Sequence, residues 1–138
     1  GVSARIHGPF GDFLSEQPSG PGLWIAGGIG ITPFLARLRA GQPDHPARLI
    51  YLYRTEEDAA YLHELQTLAH SYANFSLTAR ESGTTAPPFL EIIPATSELL
   101  GLNCYLCGPP GLVASAVAYL LAQGVPARQI HFERFDFR

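Results

Sequence analysis

Short apolar runs alternate along this chain with longer segments in which apolar residues recur every three or four positions. The apolar runs predict strands at residues 23–26, 48–53, 75–79, 103–107 and 129–132. Helical spacing predicts helices at residues 32–40, 56–72 and 112–123, and Gly124 closes the last one. Strands and helices that alternate in this way predict an α/β fold: an open, doubly wound, Rossmann-like parallel sheet of about five strands with helices on both faces.

Two regions give weaker signals. The polar, proline-containing segment 80–88 predicts a loop, and the segment that follows it, up to Gly101, leaves open whether a short helix forms. Residues 1–22 contain two turn sequences and at most one strand, which has no obvious partner. The chain also contains no methionine. We therefore expect a fragment in which residues 1–22 are the trailing edge of a preceding domain with its linker, and residues 23–138 form the domain proper.

A glycine-rich turn follows the first predicted strand. Gly27, Gly28 and Gly30 allow a sharp turn and bring peptide N–H groups close to a ligand. Thr32 suits the N-cap of the next helix, and Pro33 suits its first turn. Because the N-terminus of a helix favours an anion, one interpretation is a nucleotide-phosphate site. The other is an ordinary strand-to-helix turn, since the sequence is neither G-x-G-x-x-G nor a P-loop.

The predicted topology favours the nucleotide interpretation. In open parallel sheets, ligands bind outside the carboxyl ends of the strands. That edge would gather the four loops at residues 27–32, 53–55, 79–81 and 107–111. These loops come from separate parts of the chain, yet the topology would place them side by side.

Arginines rather than carboxylates follow the second and third predicted strands. The second strand ends in Tyr53-Arg54-Thr55, where an NAD site commonly places an acidic residue for the ribose 2′-hydroxyl. An arginine suits a 2′-phosphate instead, and Arg80 could be a second clamp. The alternative is two solvated surface arginines. Together they favour NADPH over NADH, with NADH still open.

Composition narrows the function classes. The apolar share of 46% and the charged share of 15% are typical of a globular domain. A net charge of −3 without a basic run argues against nucleic acid as a partner. No apolar run approaches the ~20 residues of a membrane span. The histidines are scattered, so we assign no metal site, and no Ser–His–Asp spacing supports a hydrolase.

The two cysteines, Cys104 and Cys107, are spaced C-x-x-C. A structural zinc site needs about four ligands, and the chain offers no second pair. On one strand the two side chains point to opposite faces, so a disulfide is difficult to form. We therefore expect reduced thiols.

Two motifs resemble the pyridine-nucleotide domain of the ferredoxin–NADP reductase superfamily. They are Gly27-Gly28-Ile29-Gly30-Ile31-Thr32-Pro33 and, far downstream, Tyr105-Leu106-Cys107-Gly108-Pro109-Pro110. Gly8-Pro9-Phe10-Gly11-Asp12-Phe13 resembles the end of that superfamily's flavin barrel. Within the superfamily, the two motifs are most similar to the ferric reductase and NADPH oxidase branch. The tail Phe132-Glu133-Arg134-Phe135-Asp136-Phe137-Arg138 resembles the C-terminus of bacterial ferric-reductase-like membrane proteins.

The resemblance implies hydride transfer from NADPH to FAD, followed by single-electron transfer, commonly to haem. It implies that Gly28, Gly30 and Thr32 line the dinucleotide and that Cys107 lies beside the nicotinamide without a covalent role. Gly108, Pro109 and Pro110 would form the turn beneath the dinucleotide, and Arg54, Thr55 and Arg80 would hold its adenosine end. Phe135 would cover the flavin, with Glu133 beside it. The open alternatives are an inert buried thiol for Cys107 and sheet-edge packing for Phe135.

The flavin-binding R-x-Y-S/T motif and the haem-binding membrane segments of that branch are absent from this sequence. We therefore expect FAD to be bound mainly by a domain outside the chain, and a haem-containing membrane domain to belong to the full-length protein. The chain itself is expected to be a cytoplasmic, soluble part that is inactive alone. The alternatives are an NADH-dependent reductase component of a soluble oxygenase and a non-catalytic nucleotide-sensing module of the same fold.

Overall fold

A computed structural model describes residues 20–53, 61–81, 89–94 and 96–134. Its strands are β1 (Gly22–Gly27), β2 (Ala47–Tyr53), β3 (Phe75–Glu81), β4 (Asn103–Gly108) and β5 (Ile130–Arg134). Its helices are α1 (Thr32–Arg39), α2 (Leu62–Ser71), α3 (Phe89–Ile92), α4 (Thr96–Leu99) and α5 (Pro110–Ala122). Short 3₁₀ turns lie at Gly28–Ile31 and Ala127–Gln129. No helix of the described ranges is long and apolar enough to cross a lipid bilayer.

The described strands form one parallel sheet in the order β3-β2-β1-β4-β5. From the central β1 the chain moves outward to β2 and β3, and then crosses to the other side of β1 to form β4 and β5. The direction of strand addition therefore reverses between β1 and β4. This reversal is the topological switch point of a doubly wound sheet, and the predicted fold class is confirmed.

Two apolar clusters cover the two faces of the sheet. One face, here called the α1 face, buries Trp24 and Tyr51 against Phe34 and Leu38 of α1. The opposite face, here called the α5 face, buries Leu23 and Ile25 against Ala116 and Leu120 of α5. All six residues of β1 are buried, because β1 is central and both of its faces are covered. This explains the uncharged sequence of that strand.

Several boundaries differ from the prediction. Helix α5 begins at Pro110, not at residue 112, because proline without an N–H suits the first helical position. Strand β3 continues to Glu81, so Arg80 belongs to the strand and not to the loop. Strand β5 extends to Arg134, so Glu133 lies on a strand and not in the tail. The region that follows residue 88 contains two short helices, α3 and α4.

Candidate functional site

The carboxyl ends of β1 and β4 lie side by side at the switch point, where a doubly wound sheet forms its ligand crevice. We define this switch-point crevice by residues 27–32, which lead from β1 into α1, and residues 108–112, which lead from β4 into α5. Because α1 and α5 cover opposite faces of the sheet, the crevice opens between the N-termini of two helices. The structure therefore brings the two sequence motifs together at one edge.

The glycines of the two turns pack backbone against backbone. A Cβ built on Gly30 would lie 2.6 Å from the carbonyl carbon of Cys107 and 2.8 Å from Cα of Gly108. A Cβ on Gly108 would lie 3.2 Å from the amide nitrogen of Gly27. Gly30 is itself buried, so its described role is close packing of the β1 turn on the end of β4. The predicted ligand role of Gly30 stays a prediction.

Gly28 differs from its neighbours in the turn. Its φ is +56°, in the left-handed region that glycine tolerates, and a Cβ on it would meet nothing within 4 Å. Ile29, the next residue, is 56% exposed. The backbone of the turn is thus accessible at Gly28 and Ile29. The sequence prediction missed Ile29, because no sequence signal separates it from Ile31, which is fully buried.

Thr32 is not an N-cap, which corrects the prediction. The 3₁₀ turn continues directly into α1, so Thr32 is already helical, with φ −60° and ψ −43°. An N-cap needs an extended backbone and a side chain that accepts an N–H bond. The Thr32 hydroxyl instead donates to the carbonyl of Ile29 at 3.1 Å. Thr32 therefore fixes the turn that carries Ile29. Pro33 falls in the first turn of the helix, as predicted.

The N-terminus of α5 forms the other side of the crevice. Pro109 is its N-cap with an extended backbone, and Pro110 opens the 13-residue helix. A Cβ on Gly111 would meet nothing within 4 Å. The first turns of α1 and α5, both within the described chain, carry no acidic side chain. The positive ends of both helix dipoles are thus left for an anion.

Cys107 lies within the crevice wall but not on its surface. It is 1% exposed and belongs to the apolar cluster of the α1 face. Burial raises the pKa of its thiol well above the ordinary value, and the neighbouring Glu133 raises this pKa further. Glu133 is the register partner of Cys107 on β5. The thiol is therefore neutral at neutral pH, and its predicted place beside the nicotinamide stays a prediction.

Cys104 occupies the opposite face of the sheet from Cys107. It is buried in the cluster of the α5 face, and burial raises the pKa of its thiol to about 12. Both cysteines are unpaired thiols, as strand geometry predicted.

Arg80 lies at some distance from the crevice. It pairs in register with Leu52, whose side chain belongs to the α5 face. Its strand, β3, is two strands from β1, which corresponds to about 10 Å. The other predicted residues of the adenosine end, Arg54 and Thr55, lie outside the described residues, as does Phe135. The structure thus gathers nine of the predicted residues at the edge of β1, β4 and β5: Gly27, Gly28, Gly30, Thr32, Pro33, Cys107, Gly108, Pro109 and Pro110, with Glu133 adjacent.

Comparison with protein families gives one match. A family model described as an oxidoreductase NAD-binding domain matches residues 24–118. The match begins in β1 and ends within α5, so it contains both turns of the switch-point crevice.

Individual relatives are longer than this chain. The toluate 1,2-dioxygenase electron transfer component of Pseudomonas putida is 34% identical over 144 residues, which cover 98% of this chain and 43% of that protein. The reductase component of propane 2-monooxygenase from Rhodococcus jostii (strain RHA1) is 30% identical over 151 residues, with coverages of 98% and 41%. The crystal structure of an Amycolatopsis cytochrome P450 reductase superposes with a TM-score of 0.70 at 26% identity, covering 98% of this chain and 42% of that one. The chain therefore spans less than half the length of these relatives.

Proposed function

Because the chain belongs to the family of oxidoreductase NAD-binding domains, we propose that its switch-point crevice binds a nicotinamide dinucleotide and presents it to a flavin held by another part of the same protein. The whole protein is then a flavin-dependent NAD(P)H reductase. The single observation that carries this proposal is the convergence of two uncompensated helix N-termini on one crevice at the point where the strand order reverses.

The residues present fit a dinucleotide. Open space at Gly28 and Gly111 lets a pyrophosphate approach the backbone N–H groups without meeting a side chain. The close packing of Gly27, Gly30 and Gly108 keeps the two turns together, so the donors on both sides face one ligand. The bound nicotinamide would supply the hydride, and FAD the acceptor.

The chain's own residues bind and orient in this proposal. The 3₁₀ turn Gly28–Ile31 that leads into α1 and the first turn of α5 hold the phosphates through backbone N–H groups and helix dipoles. Ile29, fixed by Thr32, offers an exposed apolar contact for a ring or sugar. Cys107 remains protonated and fills the wall behind the nicotinamide, and Glu133 adds a carboxylate at the neighbouring position of β5. No residue of the chain needs to form a covalent bond.

For the whole protein we propose the reductase component of an oxygenase system. The relatives described above are named an electron transfer component of a dioxygenase, a reductase component of a monooxygenase and a cytochrome P450 reductase. They support the oxygenase alternative better than the ferric reductase branch that the two motifs and the tail resembled. This role favours NADH, whereas Arg54 and Arg80 favoured NADPH. We propose NADH as the reductant. In support, Arg80 lies on the α5 face of β3, two strands from the β1 turn, and not beside the crevice.

A ferric reductase or NADPH oxidase-like protein is the second candidate. The specific observation in its favour is the resemblance of the tail from Phe132 to Arg138 to bacterial members of that branch. This candidate implies NADPH as the reductant, and a membrane anchor and a haem partner in the full-length protein. The electron acceptor of the full-length protein, purified with its flavin, distinguishes the two candidates. Reduction of a ferredoxin-type oxygenase partner would support the first candidate, and reduction of a ferric chelate would support the second.

The experiment is anaerobic stopped-flow reduction of the flavin in the full-length protein by NADH and by NADPH. Gly111→Glu places a carboxylate in the first turn of α5, at a position where a Cβ would meet nothing within 4 Å. We expect this variant to raise the Kd for the dinucleotide roughly tenfold, which corresponds to ~1.4 kcal/mol. Ser115→Glu is the matched control, since it adds the same charge on the exposed side about one helical turn away. Equal effects of the two variants would contradict binding at the crevice.

A further inference from the structure

A groove of about 300 Å³ lies on the α5 face of the sheet, over β2 and β3. It lies towards the amino halves of these strands, because its floor and rim use positions 48 and 50 of β2 and positions 76 and 78 of β3. The switch-point crevice lies at the opposite ends of the strands. The groove is therefore separate from the nucleotide site, and the inference drawn from it does not rest on the proposed function.

The floor of the groove is apolar. Leu23, Ile50 and Ile93 line it and are 0%, 2% and 5% exposed. Ile92 and Pro94 form one wall where α3 ends. A volume near 300 Å³ is at the lower end of the range for small-molecule sites, so the groove suits a compact ligand with an apolar body.

The polar side chains of the groove lie along one rim. The guanidinium of Arg48 lies on β2, and the hydroxyls of Ser76 and Thr78 lie on the neighbouring edge strand β3. Arg48 is the register partner of Ser76, and Ile50 is the register partner of Thr78. One cation and two hydroxyl groups thus line one edge of an apolar surface, and all three can donate hydrogen bonds.

Arg48 forms an exposed ion pair with Glu98 that a ligand can displace. Its Nη2 donates to Oε1 of Glu98 at 2.6 Å, and the two side chains are 47% and 54% exposed. Exposed ion pairs contribute little to stability, so opening this pair costs little. Arginine also carries five N–H donors in a planar fork, which leaves donors for a second carboxylate.

We propose that this groove binds a small amphipathic monocarboxylate, with its carboxylate on Arg48, Ser76 and Thr78 and its alkyl or aryl body against the half-buried Ile92 and Pro94, above the apolar floor. The charge selects the anion, the hydroxyls complete its hydrogen bonds, and the apolar wall of Ile92 and Pro94 favours an anion with an apolar body over an inorganic one. Glu98 competes with the ligand for Arg48, so it limits the affinity.

Because Glu98 competes with the ligand for Arg48, substitutions of these two residues should change the affinity for the ligand in opposite directions. The probes are octanoate and its neutral counterpart 1-octanol, and binding to the 138-residue chain is measured by isothermal titration calorimetry. Arg48→Gln removes the cation and should weaken octanoate binding about tenfold or more. Glu98→Gln frees Arg48 and removes a like charge, so it should strengthen octanoate binding about threefold. Binding of 1-octanol should not respond to either substitution.

Two further variants complete the test. Arg39→Gln removes the other described arginine–carboxylate pair, between Arg39 and Glu64 on α1 and α2, and should leave octanoate binding unchanged. Thr78→Val changes an exposed rim hydroxyl at nearly constant volume and should weaken binding without unfolding the chain. Absence of saturable octanoate binding would overturn the proposal, as would effects of equal sign for Arg48→Gln and Glu98→Gln.

Discussion

The packing of the two turns predicts a large loss of stability for Gly30→Ala. The added Cβ would lie 2.6 Å from the carbonyl carbon of Cys107 and 2.8 Å from Cα of Gly108. Carbon atoms prefer separations of about 3.5–4.0 Å, so the β1 turn and the end of β4 must separate by about 1 Å. The obstructing atoms are backbone atoms of a central strand, which a rotamer change cannot relieve.

The size of the stability loss for Gly30→Ala depends on the atoms that the added methyl group meets. Inserting a methyl group into a well-packed site costs about 1–3 kcal/mol, and a contact with rigid backbone belongs at the upper end, about 3 kcal/mol. Alanine also lowers the conformational entropy of the unfolded chain, which stabilises the folded variant by about 0.5 kcal/mol. We therefore expect Gly30→Ala to lower the free energy of unfolding by about 2.5 kcal/mol.

Two other glycines of the same crevice are the controls. Gly28→Ala meets no atom within 4 Å but has φ +56°, so it should cost about 1 kcal/mol through backbone strain. Gly111→Ala meets no atom either and lies in the first turn of α5, so it should be neutral or stabilising by up to ~1 kcal/mol.

Urea unfolding measures all three variants with one probe. The sole tryptophan, Trp24, lies buried on β1 with its ring centroid 5.3 Å from that of Phe34, so its fluorescence reports loss of the core. A cost for Gly30→Ala no larger than that for Gly28→Ala would refute the argument that the turns pack backbone against backbone.

Gly27→Ala places a Cβ against the end of the flexible Leu112 side chain, so it should lower the free energy of unfolding by about 1 kcal/mol. Urea unfolding should show that most of this loss disappears when the substitution is made in the Leu112→Ala variant. Burial raises the pKa of Cys104 from 9.0 to about 12, so the unfolded chain releases this proton first and stability should fall between pH 9.0 and about 12. This fall should be smaller in Cys104→Ala. Burial lowers the pKa of His131, whose ring stacks on Tyr105 at 4.8 Å, so stability should fall as the pH drops through the unfolded value near 6.5. His131→Phe should remove that acid-dependent loss, and an unchanged pH profile would contradict the assignment.

The fold was predictable because its central strands are buried on both faces. The uncharged run in β1 and the alternation of strands with helical spacing led directly to the observed sheet. The meeting of the two glycine-containing turns at the carboxyl edge followed from the same topology. The opposite faces of Cys104 and Cys107 followed from strand periodicity alone.

Other features were not predictable because they depend on contacts between distant segments. Whether a glycine faces a ligand or a neighbouring backbone depends on how closely β4 approaches the β1 turn, so Gly28 and Gly30 look alike in sequence and differ in the fold. Thr32 looked like an N-cap, but the 3₁₀ turn before it made it helical. The extension of β5 to Arg134 depends on pairing with Cys107 and Gly108, which no local pattern reports.

The binding site itself is tested most directly by amide chemical shifts of the ¹⁵N-labelled chain during titration with NADH, 5′-AMP and 2′,5′-ADP. If the switch-point crevice binds the dinucleotide, the largest NADH-induced shifts should fall on Gly28, Ile29, Gly111 and Leu112, on the two sides of the crevice. Preference for 5′-AMP over 2′,5′-ADP would support NADH, and the reverse would support NADPH. Shifts confined to other parts of the sheet, with the crevice amides unchanged at saturation, would contradict the account.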